Sequence, residues 1–111
     1  MATTVSPAVL QAGVVLTTSA VVYITGAANT QTIIKAARFA NVTAGVVTFT
    51  VYRLASGGSP LMVIPPRSIA ANGTDLAPEL SNMVLNAGDA VQCLASAISS
   101  VDFFASGWVA S

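Results

Sequence analysis

Charged side chains are scarce in this sequence. They make up 7% of its 111 residues, against roughly 25% in an average soluble domain. By the usual size scaling, a monomer of 11.1 kDa exposes about 5,700 Å², so four basic and four acidic side chains are thinly spread. Because charge deters non-specific association, we expect a surface of small polar side chains that is partly covered by neighbouring molecules. The charged residues are Lys35, Arg38, Arg53, Arg67, Asp75, Glu79, Asp89 and Asp102.

The few charges are also scattered, and long hydrophobic runs are missing. The net charge is zero, and no basic patch is present that could contact the phosphates of a nucleic acid. Residues 8–25 are apolar on average but contain Gln11 and Thr17-Thr18-Ser19, whereas a transmembrane helix needs about 18 uninterrupted apolar residues. A signal peptide needs a basic start, which residues 1–7 lack. We therefore predict neither a nucleic-acid nor a membrane partner.

Histidine is absent and cysteine occurs once, which removes most catalytic and metal chemistry. Without histidine the chain lacks the commonest general base, and a zinc site of Cys and His ligands is excluded. The neighbours of Cys93 favour a small buried hydrophobe over a reactive thiol. Asp75 and Glu79 lie four residues apart, a spacing expected of two solvated loop carboxylates. The sequence predicts a non-enzymatic protein with no catalytic, cofactor-binding or metal residues, no cofactor and no small-molecule substrate.

Short strand-like segments separated by turn residues fill the chain. Turn clusters such as Ser56-Gly57-Gly58-Ser59-Pro60 and Asn86-Ala87-Gly88-Asp89 lie between them. This spacing predicts a single all-β domain, an antiparallel β-sandwich or a jelly-roll-like fold. We divide the chain into an N-terminal arm or docking strand, residues 1–12, and a β-sandwich domain, residues 13–111. The predicted strands are 13–17, 21–25, 32–40, 46–54, 61–64, 91–95 and 101–109.

Two local patterns bear on burial. Val47, Phe49 and Val51 alternate with polar residues, as expected of a half-buried strand. In the last strand both faces carry a phenylalanine, Phe103 and Phe104, so either both are buried or one face meets a partner.

Pro65-Pro66 excludes a central strand at that point, because neither residue can donate to a ladder. Residues 75–80 fit one short helical turn or an extended loop.

The sparse charge points to function through interfaces. Lys35 and Arg38 lie in an otherwise apolar strand, where they either snorkel at its ends or pair across an assembly interface. Trp108 either closes the core or anchors an interface. The candidate interface residues are Val9, Leu10, Lys35, Arg38, Tyr52, Phe104 and Trp108.

Read together, several stretches resemble a family of small virion proteins of tailed bacteriophages. The resemblance covers about residues 23–108. Its segments are Ala28-Asn29-Thr30-Gln31-Thr32-Ile33-Ile34-Lys35, Arg38-Phe39-Ala40-Asn41-Val42-Thr43, Val47-Thr48-Phe49-Thr50-Val51-Tyr52, Ser56-Gly57-Gly58-Ser59, Ile69 before Ala71-Asn72-Gly73-Thr74, Pro78-Glu79-Leu80, Val84-Leu85-Asn86-Ala87-Gly88-Asp89 and Gln92-Cys93-Leu94-Ala95-Ser96.

The resemblance implies a β-sandwich structural subunit of a phage particle, located in the virion and assembled in the cytoplasm of the host bacterium. Its implied partners are copies of itself and the major capsid or other virion proteins. A head decoration (cement) protein that bridges coat subunits is our first hypothesis. The alternative is a tail or fibre module that binds a host receptor, for which Tyr23, Tyr52 and Trp108 offer aromatic rings with polar tips.

Overall fold

A computed structural model describes residues 5–110 as nine β-strands and one short 3₁₀ turn, with no α-helix among those residues. The 3₁₀ turn spans Pro78–Leu80, within the segment for which a short helical turn was one of the two expectations. The strands are β1 Val5–Val15, β2 Val21–Thr25, β3 Gln31–Asn41, β4 Val47–Leu54, β5 Leu61–Ile69, β6 Thr74–Asp75, β7 Met83–Leu85, β8 Ala90–Ala95 and β9 Val101–Ala110.

The strands form two antiparallel sheets. The larger sheet has the order β1-β9-β3-β6, with β7 also pairing with β3, and the smaller sheet has the order β2-β8-β4-β5. The chain changes sheet at every connection except β4 to β5 and β6 to β7. When β6 and β7 are counted as one interrupted strand, this is the eight-stranded order of a jelly roll. The predicted all-β sandwich is confirmed.

Stacked phenylalanines join the two sheets. Phe39 on β3 and Phe103 on β9 are cross-strand partners whose ring centroids lie 4.6 Å apart. Phe49 reaches from β4 of the smaller sheet to stack on Phe39 at 4.3 Å. All three rings are fully buried, and each such ring contributes a large apolar area to the core. The predicted inward face of β4 is confirmed, because Val47, Phe49 and Val51 belong to this core.

The N-terminal strand is longer than the sequence predicted. In place of a strand over residues 13–17, β1 begins at Val5 and pairs with β9. Pro7 lies inside it, which an edge strand tolerates because one side of its backbone has no partner strand. Residues 1–4 of the predicted arm lie outside the described residues, and residues 5–12 lie in β1. The arm boundary at residue 12 stays a prediction.

The two consecutive prolines fall where the sequence allowed them. Pro65 and Pro66 lie in β5, which is an edge strand of the smaller sheet. The pairing of β5 with β4 shifts register at this point, between the pairs Phe49–Arg67 and Val51–Ile64. The prolines therefore occupy a bulge at a sheet edge, where their missing N–H groups break no ladder.

In the part of the chain that the structure describes, no helix has the length and hydrophobicity to cross a membrane.

Candidate interaction face on the larger sheet

Strand alternation turns one set of side chains on the larger sheet away from the core. On β9, Val101, Phe103 and Ala105 are buried, so the side chains between them point outward. The outward side chains of β9, with those beside them on β3 and β1, make up what we call the outer face. The outer face comprises Pro7, Val9, Ile33, Lys35, Ala36, Arg38, Ala40, Asp102, Phe104, Ser106 and Trp108.

The outer face contains two adjoining depressions. One is lined by Phe104 and Arg38, the other by Trp108 and Lys35, and Val9 contributes to both. Val9 is 71% exposed and Trp108 38% exposed. Large apolar side chains that remain this accessible and lie side by side mark interaction sites more often than scattered ones do.

Phe104 is held in place by a bulge in β1. Register shifts between Gln11 and Val14, and Gly13 adopts a φ of 138° there. A Cβ on Gly13 would lie 2.8 Å from the Phe104 ring, so the glycine leaves the space that the ring covers. On its other side the Arg38 guanidinium lies 5.4 Å from the ring centroid, within cation–π range. Phe103 is therefore in the core, whereas Phe104 is a half-buried part of the outer face.

Trp108 does not close the core. It follows Gly107 on β9, and its cross-strand neighbours are Pro7 on β1 and Ile33 on β3. The alternation that buries Phe103 and Ala105 points Trp108 to the outside. Of the two readings of the sequence, the core-closing one is wrong, because residue 108 is on the solvent side of the strand.

The charged side chains divide into two groups. Arg53 pairs with Asp89 at 2.9 Å, and Arg67 pairs with Asp75 at 2.9 Å and also with Glu79. Within residues 5–110, no salt bridge engages the three remaining charges, Lys35, Arg38 and Asp102. All three lie on the outer face, and Lys35 donates a hydrogen bond from Nζ to Oδ1 of Asn82 at 2.8 Å.

The first group of charges maintains the fold. The Asp89 carboxylate accepts hydrogen bonds from the backbone N–H groups of Ser56 and Asn86, each at 3.0 Å, and these bonds with the Arg53 charge lower its pKa. Arg67 reaches from β5 to Asp75 in β6 and to Glu79 in the 3₁₀ turn, so it fastens the smaller sheet to both. The hydrogen bonding between Arg67 and Glu79 lowers the pKa of Glu79, and the hydrogen bonds of Arg67 to Glu79 and Asp75 raise the pKa of Arg67.

Two candidate interface residues lie away from the outer face. Leu10 is half-buried and packs against the core. Tyr52 is half-buried on β4 of the smaller sheet, where its cross-strand partners are Gln92 and Met62. The structure thus brings together five of the seven candidates, namely Val9, Lys35, Arg38, Phe104 and Trp108. Asp102 and Pro7, which share their surface, were not among the candidates; Asp102 could have been found from its two-residue offset to Phe104.

Reactive chemistry is sparse in the described part of the chain. Cys93 is fully buried, as the sequence predicted, and burial raises the pKa of its thiol. Residues 5–110 contain no group of three or more Cys, Asp or Glu side chains placed to hold a metal ion. Asn41 begins an Asn-Val-Thr triplet of the glycosylation pattern. The residue is 2% exposed, and its Nδ2 donates hydrogen bonds to the carbonyl oxygens of Gly45 and Ile69.

Comparisons with known proteins give distant likenesses only. No protein-family model and no curated protein matches the sequence. A structure of infectious bursal disease virus, Gx strain, is similar with a TM-score of 0.45 and 14% identity, over 99% of this chain and 33% of that chain. The VP2 subviral particle of the same virus gives a TM-score of 0.38 and 14% identity, over 97% and 32%. The chain spans about a third of the length of these chains. Neither of the two is a bacteriophage protein, and the phage resemblance stays a prediction.

Proposed function

We propose that this chain is a non-enzymatic structural subunit of a bacteriophage virion, and specifically a decoration protein that stabilises the head. Its partners are copies of itself and the major capsid or other virion proteins, and it is assembled into particles in the bacterial cytoplasm. The supporting observation is the outer face. It combines exposed apolar side chains with Lys35, Arg38 and Asp102, three charges that no salt bridge engages within residues 5–110.

Leaving the outer face in contact with water is unfavourable. Val9 and Trp108 leave apolar area in contact with water, and covering apolar area is favourable by about 25 cal/mol per Å². Standard interfaces bury about 800 Å² per partner, a substantial part of the 5710 Å² surface of this chain. A virion subunit keeps such a face covered permanently. Jelly-roll domains occur in lectins as well as in virion proteins, so the fold alone does not indicate which function this chain has.

Copy number in purified phage particles tests the proposal. Quantitative mass spectrometry of virions from the phage that encodes the chain should find hundreds of copies per particle. A few to dozens of copies would instead favour the alternative, a tail or fibre module that binds a host receptor. Absence of the chain from virions would overturn the structural assignment altogether.

Add-back of the protein tests the stabilising role. Heads that lack the chain should release DNA at a lower temperature than complete heads, and added purified protein should restore the higher temperature. Val9→Asp, on the outer face, should not restore it. Leu61→Asp is the matched control, because Leu61 lies on an edge strand of the smaller sheet and is 72% exposed, against 71% for Val9.

A further inference from the structure

We propose that the outer face is self-complementary: two copies pack their outer faces together about a two-fold axis, and Arg38 of each copy pairs with the partner's Asp102. This inference rests on the proposed function, because a role in the virion gives the contact its purpose. It deepens that function by naming a second copy of the chain as the molecule that covers the outer face. It assigns the pairing role to two of the three charges that the fold leaves without a salt bridge within residues 5–110.

Symmetry sets the first condition, and the outer face meets it. A two-fold contact places one surface against its own copy, so each charged group needs its opposite on the same surface. Arg38 on β3 is the cross-strand partner of Phe104 on β9, and Asp102 lies two residues before Phe104 on the same side of β9. The two charges are therefore diagonal neighbours, with backbones about 7–8 Å apart. A two-fold axis lying between the packed faces and crossing midway between these residues places each charge against the opposite charge of the partner.

In the described part of the chain, the charges that remain free to pair favour a second copy in this orientation. Asp75, Glu79 and Asp89 are engaged with Arg67 and Arg53 inside the chain. Among the side chains of residues 5–110, Asp102 is consequently the carboxylate that a second copy can offer to Arg38 without breaking an existing pair. Any contact that buried this face without matching the two charges would leave both of them desolvated and unpaired, which strongly disfavours such a contact.

The shape of the face permits sheet-on-sheet packing. Between the aromatic rings the outward side chains are small, including Ala36, Ala40 and Ser106, so a second sheet can approach to about 10 Å. The molecule measures 51 × 27 × 19 Å, and a broad side of 51 × 27 Å has room for the about 800 Å² that each partner of a standard interface buries. Val9, Phe104 and Trp108 supply the apolar part of this contact.

Sedimentation equilibrium of charge-swap variants tests the inference. The wild-type protein should show a monomer–dimer equilibrium between about 1 and 200 µM. Arg38→Asp and Asp102→Arg should each raise the dimer dissociation constant at least about 10-fold, because each sets like charges against one another in both copies. The double variant Arg38→Asp with Asp102→Arg should return to within about 3-fold of wild type, because the pairs re-form with reversed sign.

Controls separate the charge pair from general effects. Gln92→Asp and Gln92→Arg introduce either charge on the smaller sheet and should change the dimer constant less than about 2-fold. Circular dichroism of every variant verifies folding. If a charge reversal unfolds the chain, the test can use Arg38→Gln and Asp102→Asn, which remove the charges without introducing repulsion. These two should weaken the dimer less than the reversals do.

Three results would overturn the inference: a wild-type monomer throughout the concentration range, a trimer or larger ring, or a double swap as weak as its parents. The proposed virion function can fail separately, because it is measured by copy number in particles. Dimers of a chain absent from virions would reject that function, whereas hundreds of copies per virion from a strictly monomeric protein would reject the two-fold contact alone.

Discussion

The two sheets of this sandwich differ in what their solvent sides present. Both carry exposed apolar residues to a similar degree: Val9 on the larger sheet is 71% exposed and Leu61 on the smaller sheet is 72% exposed. Charge distinguishes them. Lys35, Arg38 and Asp102 lie on the outer face of the larger sheet, whereas Arg53 and Arg67 on the smaller sheet are engaged in ion pairs within the chain.

Exposed hydrophobicity therefore does not distinguish the two sheets of this protein, whereas the distribution of charge does. Apolar area provides affinity without direction. Charged groups fix orientation and exclude wrong partners. A face that has both can specify one arrangement, which is why we propose the larger sheet as the side that assembles.

Val9 and Leu61 are matched in exposure but lie on different sheets. Val9→Asp should raise the dimer dissociation constant at least about 100-fold, because each copy then buries an unpaired carboxylate in the contact. Leu61→Asp should leave the constant within about 2-fold of wild type, since its charge stays in water. Sedimentation velocity of both variants measures this. Equal weakening by the two substitutions would mean that both faces, or neither, form the interface.

A second substitution separates folding from association. Asn41→Ala should lower the free energy of unfolding by about 2–4 kcal/mol, because buried carbonyls and the Thr43 N–H lose their partners. Urea denaturation measures the loss, and Asn86→Ala, which removes an exposed amide, should cost less than about 1 kcal/mol. The folded fraction of Asn41→Ala should dimerise as wild type does. A large change in its dimer constant would mean that the buried contacts of Asn41 also fix the neighbouring outer-face residues Ala40 and Asp102.

A third substitution perturbs the strand beneath the outer face. A Cβ on Gly107 would lie 1.9 Å from the carbonyl oxygen of Ile33, so Gly107→Ala must force β9 away from β3. We expect a loss of about 1–3 kcal/mol in the free energy of unfolding, with weaker dimerisation because Trp108 moves. Gly45→Ala is the control, since a Cβ there meets nothing within 4 Å. If Gly107→Ala matched Gly45→Ala in stability, the close approach of the two strands would be wrong.

The smallest expected effect is that of acid on the paired charges. The pKa values of Glu79 and Asp89 are lowered from 4.5 and 3.8 in the folded protein, so their stabilisation is present above those values and is lost as pH falls through the lower folded pKa values. The free energy of unfolding should be level near neutral pH and decline below about pH 4.5. Urea denaturation between pH 7 and 3 measures this. Glu79→Gln should flatten part of the decline, and a profile without any decline would contradict the role of these pairs.

Local patterns predicted much of the fold, because most of the strands obey a period of two. Val47, Phe49 and Val51 were assigned to the core from alternation alone, and Pro65-Pro66 to a non-central position from their missing donors. Both predictions follow from chemistry within a few residues. The short strands β6 and β7 were missed, since two or three residues do not establish a period.

Features that depend on strand pairing could not be predicted from the sequence. Trp108 could be placed in the core or outside it until the register of β9 was known, because a shift of one residue exchanges the two faces. The segregation of charges was equally hidden: the partners of Arg53 and Arg67 lie 36 and 8–12 residues away. Five of the seven candidate interface residues share one face, but that sharing depends on the pairing of β1, β9 and β3.

The intrinsic fluorescence of Trp108 tests the central claim most directly, because it is the chain's only tryptophan and lies on the outer face. Between about 1 and 200 µM protein, its emission should move to shorter wavelength as dimers form and water leaves the indole. Val9→Asp should show no such shift over the same range. An emission maximum that stays constant while sedimentation shows oligomers would place the interface elsewhere and contradict the account.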